Sequence, residues 1–120
     1  MESKNDEATL EAYSTDASIF KVHPKEVYFP TTIEDISQLI ESGRKITARG
    51  AGTDMSGGPL TEFTVIDMTH GFNEIKEIDK ITNEVWVGAG AYYRDLEAIT
   101  TQHGSLKRSV RKFCRLLDWG

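Results

Sequence analysis

Residues 25–50, "KEVYFPTTIEDISQLIESGRKITARG", leave the backbone few choices. "KEVYFP" reads as a short strand rich in β-favouring side chains and closed by Pro30. Thr31 or Thr32 can cap a helix running through "IEDISQLIESG", and Thr32 with Asp35 approximates a capping box. Ile33, Ile36, Leu39 and Ile40 recur at helical spacing on one face. Gly43 ends the helix, as a C-terminal glycine commonly does. "KITARG" is a second strand. Strand, helix and strand joined by short connections predict a parallel pair with a right-handed crossover.

The flanking segments are read in the same way. "NDEATLEAYS" is a short helix with Asn5 or Asp6 as N-cap, and "YSTDASIFKVHP" is irregular. "FTVIDM" is a third strand. "EIKEID" and "EVWVGAG" alternate apolar and polar residues around "KITNE", which is a hairpin pattern. "AYYRDLEAITTQHG" is a helix with Tyr92, Leu96 and Ile99 on one face and Gly104 as its stop. The order β-α-β-β-β-β-α makes the fold class α+β.

The second strand opens directly into "AGTDMSGG". With Gly50, this stretch carries four glycines, Gly50, Gly52, Gly57 and Gly58. A phosphate cradle needs convergent main-chain N–H groups, small side chains and access to positive φ. Thr53 and Ser56 add hydroxyls and Arg49 adds positive charge. The alternative is a loose surface loop. Two familiar nucleotide motifs fail here. Gly58-Pro59 stands where a Walker A loop needs Lys-Ser/Thr, while Met55 and Tyr93 stand where the third glycine of G-x-G-x-x-G is needed.

Composition removes other classes. The chain has 120 residues and a net charge of −5. Residues 1–104 carry nine Lys/Arg against eighteen Asp/Glu, a balance of −9. An acidic body argues against nucleic-acid binding. No apolar run approaches the ~20 residues of a transmembrane helix. The polar start "MESKNDEATLEAY" lacks a signal-peptide core. A single cysteine, Cys114, excludes an internal disulfide and suits a reducing compartment, the cytoplasm. His23, His70 and His103 have no ligand spacing, so no metal is expected. No serine lies in a G-x-S-x-G context.

Four stretches in register resemble the FAD-linked oxidases with a PCMH-type (vanillyl-alcohol-oxidase-like) FAD-binding domain, of the glycolate oxidase and D-lactate dehydrogenase type. "YSTDASIFKVHPKEVYFPTTIEDISQLI" resembles the opening of that domain. "ITARGAGTDMSGG" resembles its pyrophosphate loop, R-G-x-G-T-x-x-x-G. "VIDMTHGFNEIKEID" and "EVWVGAGAYYRDLEAITTQHG" resemble the two segments that follow.

The resemblance implies roles. Ala48, Arg49, Gly50, Ala51, Gly52, Thr53 and Asp54 would wrap the FAD pyrophosphate, and Ser56 and Gly57 would complete the loop. Pro30 would lie near the adenine end. Gly88, Ala89 and Gly90 would approach the cofactor. Thr53 stands where flavinylated relatives place a covalent histidine, which implies non-covalent FAD. The implied function is that of a fragment of an FAD-dependent oxidoreductase acting on a 2-hydroxy acid such as glycolate or D-lactate. The family's later T-I-G-G cofactor segment and its substrate cap are not in this sequence. The fragment is therefore expected to be inactive alone, with a separate chain as the possible source of the rest.

The resemblance stops at residue 104. Residues 105–120, "SLKRSVRKFCRLLDWG", carry five Lys/Arg against Asp118, a balance of +4. Leu106, Val110, Phe113 and Leu117 give this tail one apolar face as a helix. One reading is a basic amphipathic tail, which would suit a small non-enzymatic interaction module. Another is the product of a shifted reading frame, testable in the nucleotide sequence.

Overall fold

A computed structural model describes residues 1–102. The basic tail lies outside the described residues. The elements are β1 (Glu2–Lys4), α1 (Glu7–Ala12), β2 (Glu26–Phe29), α2 (Ile33–Glu41), β3 (Ile46–Arg49), β4 (Thr64–Asp67) and α3 (Tyr93–Gln102). They form the expected α+β fold around one four-stranded sheet of order β1-β2-β4-β3.

The sheet corrects one expectation. β2 and β3 run parallel, but they are not neighbours: β4 lies between them and pairs in parallel with both. All four residues of β4 are buried, whereas β3 is only half-buried. A strand covered on both faces belongs in the middle of a parallel sheet, and the more polar strand takes the edge. β1 pairs antiparallel with β2, with Glu2 opposite Phe29. It consists of three exposed residues, "ESK", so no hydrophobic pattern announced it. The 75–87 hairpin is present as two isolated antiparallel bridges, Ile75 with Val87 and Asp79 with Glu84, rather than as full strands.

Helix boundaries follow local chemistry. Asp6 caps α1, accepting from Thr9 N at 3.0 Å. At α2 the capping box is complete: Asp35 N donates to Thr32 Oγ1 and Thr32 N donates to Asp35 Oδ2, each at 3.2 Å. Thr32→Ala should therefore cost about 1 kcal/mol in urea unfolding, with α2 still formed. Gly43, at φ +76°, turns the chain out of α2.

Two hydrophobic clusters stand out among the described residues. Leu10, Val27, Phe29 and Val65 pack together with Tyr13 against them. Val85, Val87 and Leu96 form the second, joining the hairpin to α3. The apolar face of α2 behaves differently from expectation. Leu39 is buried, but Ile33 and Ile40 remain 70% and 59% exposed. The stripe is thus covered at Leu39, half-covered at Ile36 and mostly open at Ile33 and Ile40.

Candidate functional site

In an open parallel sheet, ligands gather outside the carboxyl ends of the strands. Here three such ends share one edge. β2 delivers Pro30, β3 delivers the glycine loop, and β4 delivers Asp67 and the turn after it. The strand order places the glycine loop and Pro30 on opposite sides of β4.

The loop has the form an anion cradle needs. Gly52 and Gly57 adopt φ of +69° and +79°, where side chains are strained. Among the described residues, no hydrogen bond is made by the main-chain N–H of Ala51, Gly52, Thr53, Asp54, Met55 or Ser56. Ala51, Thr53, Asp54 and Ser56 are exposed, so these donors are open to an approaching group. Gly50 is informative in another way. A Cβ built there meets nothing within 4 Å, and its φ is not left-handed. Among the described residues no contact requires glycine at that position. Ala48, the residue before Arg49 in β3, is exposed and pairs with Ile66 of β4.

Arg49 is turned inward. Its Nη2 donates to Thr15 O at 2.8 Å and its Nη1 to Tyr13 O at 3.4 Å. The guanidinium carbon lies 5.2 Å from the centre of the Tyr13 ring. Gly52 passes directly over it, since a Cβ there would sit 2.3 Å from Nη2. The segment before β2 also reaches the far end of the loop: a Cβ on Gly57 would lie 3.1 Å from the Phe20 ring.

Three further glycines serve close backbone approach. A Cβ on Gly71 would fall 2.3 Å from Pro30 O, one on Gly88 2.1 Å from Phe72 O, and one on Gly90 1.8 Å from Met68 O. Gly88 N and Gly90 N donate to Glu74 O and Phe72 O at 2.7 and 2.8 Å. The 88–90 segment is thus knitted to the turn that follows β4. Its two glycine N–H groups are already used, and only Ala89 between them is exposed.

Sequence reasoning missed the polar cluster at the end of β4. Asp67 is buried and accepts from Thr69 N at 2.7 Å and Thr69 Oγ1 at 2.6 Å. The Tyr13 hydroxyl donates to its other oxygen. His70 Nδ1 lies 3.5 Å away, its ring set edge-on against Phe29. Burial pushes the Asp67 carboxyl up, but the Thr69, Tyr13 and His70 contacts outweigh it and hold the group below its ordinary value. Burial, then the bond to Asp67 and its charge, push the Tyr13 phenol well up. The available signal was a lone acid inside the apolar strand "FTVIDM". His23 is also less isolated than its spacing implied: Glu7 and Glu11 lie beside it, with His23 Nε2 3.0 Å from Glu7 Oε1 and Lys21 paired to Glu11.

Comparison with known proteins gives this geometry a context. A family described as an FAD binding domain matches residues 24–110. D-2-hydroxyglutarate dehydrogenase of Pseudomonas putida is 34% identical over 106 residues, covering 82% of this chain and 10% of that protein. The Escherichia coli K12 protein of the same name is 33% identical over 84 residues, covering 64% and 8%. The chain thus spans about a tenth of the length of these relatives. Among solved structures, alkyldihydroxyacetonephosphate synthase matches with a TM-score of 0.70 and 18% identity, over 85% of this chain and 22% of that one. GilR, an oxidoreductase that catalyses the terminal step of gilvocarcin biosynthesis, matches with a TM-score of 0.58 and 22% identity, over 82% and 21%. These last two likenesses are of fold.

Proposed function

We propose that this chain, which belongs to the FAD binding domain family of FAD-linked oxidoreductases, holds FAD non-covalently across the carboxyl edge of its sheet. The observation that carries the reading is the glycine loop. It combines two left-handed glycines, a run of unused main-chain donors and a glycine at position 50 that the fold itself does not require. Such a cradle fits a diphosphate.

In this reading the N–H groups from Ala51 to Ser56 hold the diphosphate. Ala48, Arg49, Gly50, Gly52 and Gly57 shape the loop around it. Pro30, across β4, borders the adenine end. Ala89, the exposed member of its segment, faces the flavin side between the two glycines that position it. Thr53 offers no nucleophile comparable to an imidazole, so the cofactor stays unattached. Bound flavin would supply a two-electron acceptor, while the protein supplies binding and orientation.

The proposed substrate class is a 2-hydroxy acid, with glycolate and D-lactate as its simplest members. Relatives named for D-2-hydroxyglutarate, a hydroxyl beside a carboxylate, support the class. Residues 1–104 form the FAD-binding part in this proposal, with 105–120 as a separate tail in a cytoplasmic protein. Among the described residues no helix is long and apolar enough to cross a membrane. A separate partner chain belongs to this proposal, and the exposed Ile33 and Ile40 of α2 give it apolar surface to cover.

Gel filtration after incubation with FAD tests the reading. The protein peak should carry flavin absorbance, and acid precipitation should release all of it to the supernatant. Gly52→Val should abolish the signal, because its side chain meets both a left-handed φ and Arg49. Gly50→Ala should keep the wild-type melting curve yet weaken FAD about tenfold, or about 1.4 kcal/mol. A colourless wild-type peak at saturating FAD, or Gly50→Ala binding like wild type, would count against the cradle.

A further inference from the structure

The residues that shape the loop from behind are not on the loop. They belong to the irregular segment between α1 and β2, which touches both loop ends. At the first end, the Arg49 guanidinium fork donates to Tyr13 O and Thr15 O and lies against the Tyr13 ring, with Gly52 folded over it. At the second end, Phe20 packs against Gly57. Asp16 stands between these ends. Its Oδ1 accepts from Ser18 N at 2.8 Å, and its Oδ2 is buried without a well-formed hydrogen bond. Its carboxyl is held below the ordinary value first by the Ser18 hydroxyl, then by the Ser18 and Gly57 N–H groups and the Arg49 charge.

The segment itself is anchored. Val22 N donates to Ser14 O at 2.9 Å, and Thr15 bridges Lys21 in antiparallel fashion. The Ser14 side chain is fully buried, its hydroxyl donating to Glu11 O of α1 at 2.6 Å. The Tyr13–Phe20 stretch is therefore a closed turn pinned to the main core through Tyr13.

We propose that Tyr13–Phe20 is a brace that presets the glycine loop for its anion, with Arg49 and Asp16 as positioning residues rather than ligand contacts. This inference rests on the diphosphate reading above and deepens it. Arg49 would ordinarily be assigned as the counter-charge of a phosphate. Its fork is instead spent on two carbonyls of the brace, a bidentate arrangement that lysine cannot reproduce. Asp16, an acid beside an anion site, would be unfavourable as a contact. As an acceptor for Ser18 N it closes the turn between Thr15 and Phe20, the part of the brace that carries both loop contacts. Donors fixed in advance lose less freedom when the ligand arrives.

The test uses the full chain and two readouts. One is FAD affinity by flavin fluorescence as a function of salt. The other is the rate at which trypsin cuts the bond after residue 49, measured without FAD. Trypsin cuts after lysine as after arginine, so the site survives in Arg49→Lys. For a brace, Arg49→Lys, Arg49→Met and Asp16→Ala should each weaken FAD about tenfold and speed cutting, where the site remains, about tenfold. The salt slope should stay at its wild-type value. Phosphate contact would look different: Arg49→Lys would bind like wild type, while Arg49→Met would bind weakly with a shallower salt slope. That pattern overturns the proposal. So does wild-type cutting in both Asp16→Ala and Arg49→Lys. If wild type fails to bind FAD, the diphosphate reading falls, and the cutting rates still decide whether the brace holds the loop.

Discussion

Gly90→Ala is expected to remove cooperative folding at room temperature. Gly90 is buried, and its Cβ would lie 1.8 Å from Met68 O and 2.3 Å from Met68 C. Neither is a flexible side-chain tip; both are backbone atoms next to β4, the fully buried strand. Space for a methyl opens only if the 88–91 segment moves off the turn after β4. That movement breaks the bonds from Gly90 N to Phe72 O and from Gly88 N to Glu74 O. It also pulls Val87 from the second core. Overpacking commonly costs 1–3 kcal/mol where side chains can adjust, and a backbone clash with lost hydrogen bonds belongs above about 4 kcal/mol. A domain of this size has a total stability on the order of 5–15 kcal/mol, so little remains. Gly88→Ala, whose Cβ meets Phe72 O at 2.1 Å, should behave similarly. Gly50→Ala, with open space around it, should stay within about 0.5 kcal/mol of wild type. Urea unfolding followed by far-UV circular dichroism separates these outcomes. A Gly90→Ala transition within about 1 kcal/mol of wild type would show that the two segments do not pack this closely.

That contrast among glycines also marks how far the sequence could be read. Local rules worked where the physics was local. The Thr32–Asp35 pair wrote the start of α2 into four residues, and Asp6 did the same for α1. The carboxyl-edge loop followed from a strand running straight into glycines. Rules of sequence spacing failed where partners were distant. Nothing in residues 25–50 says that β4 will slide between β2 and β3, because that choice depends on which strand is most completely buried in the finished sheet. β1 is polar and short and gains its place by backbone pairing with β2 and by Lys4 lying over the Phe29 ring. Gly88 and Gly90 drew attention as neighbours of a cofactor, yet their missing side chains are explained by carbonyls at Phe72 and Met68. Arg49 read as a positive charge at the start of the loop, and no sequence window could show its bonds to carbonyls 34 and 36 positions earlier. Tyr13 and Asp67 are 54 residues apart, so their contact left no mark on any window of sequence.

The Tyr13–Asp67 contact leads to the second large effect. Asp67→Ala should cost about 3–5 kcal/mol, since it strands several donors at about 1–3 kcal/mol for each one left buried and unsatisfied. The loss leaves the Tyr13 hydroxyl, Thr69 Oγ1 and Thr69 N without their acceptor in the interior. The pH dependence has a definite sign. The folded carboxyl of Asp67 is held below its ordinary value of 3.8, so the unfolded chain binds its proton more readily. Its contribution is complete above the unfolded value and is lost as pH falls through the folded one. Tyr13 runs the other way. Its phenol is raised above the ordinary 10.0, so its contribution is complete below that value and fades as pH rises through the folded one. Wild type should therefore lose stability on both flanks, and Asp67→Asn should flatten the acid flank. Tyr13→Phe should flatten the alkaline flank while leaving Thr69 bonded to Asp67. Because both variants remove one shared bond, their double mutant should be less destabilised than the sum by about 1–3 kcal/mol. An acid flank unchanged in Asp67→Asn would mean that this cluster does not hold the Asp67 carboxyl, and strict additivity in the cycle would mean that Tyr13 and Asp67 do not form the bond that ties α1's end to the carboxyl edge of β4.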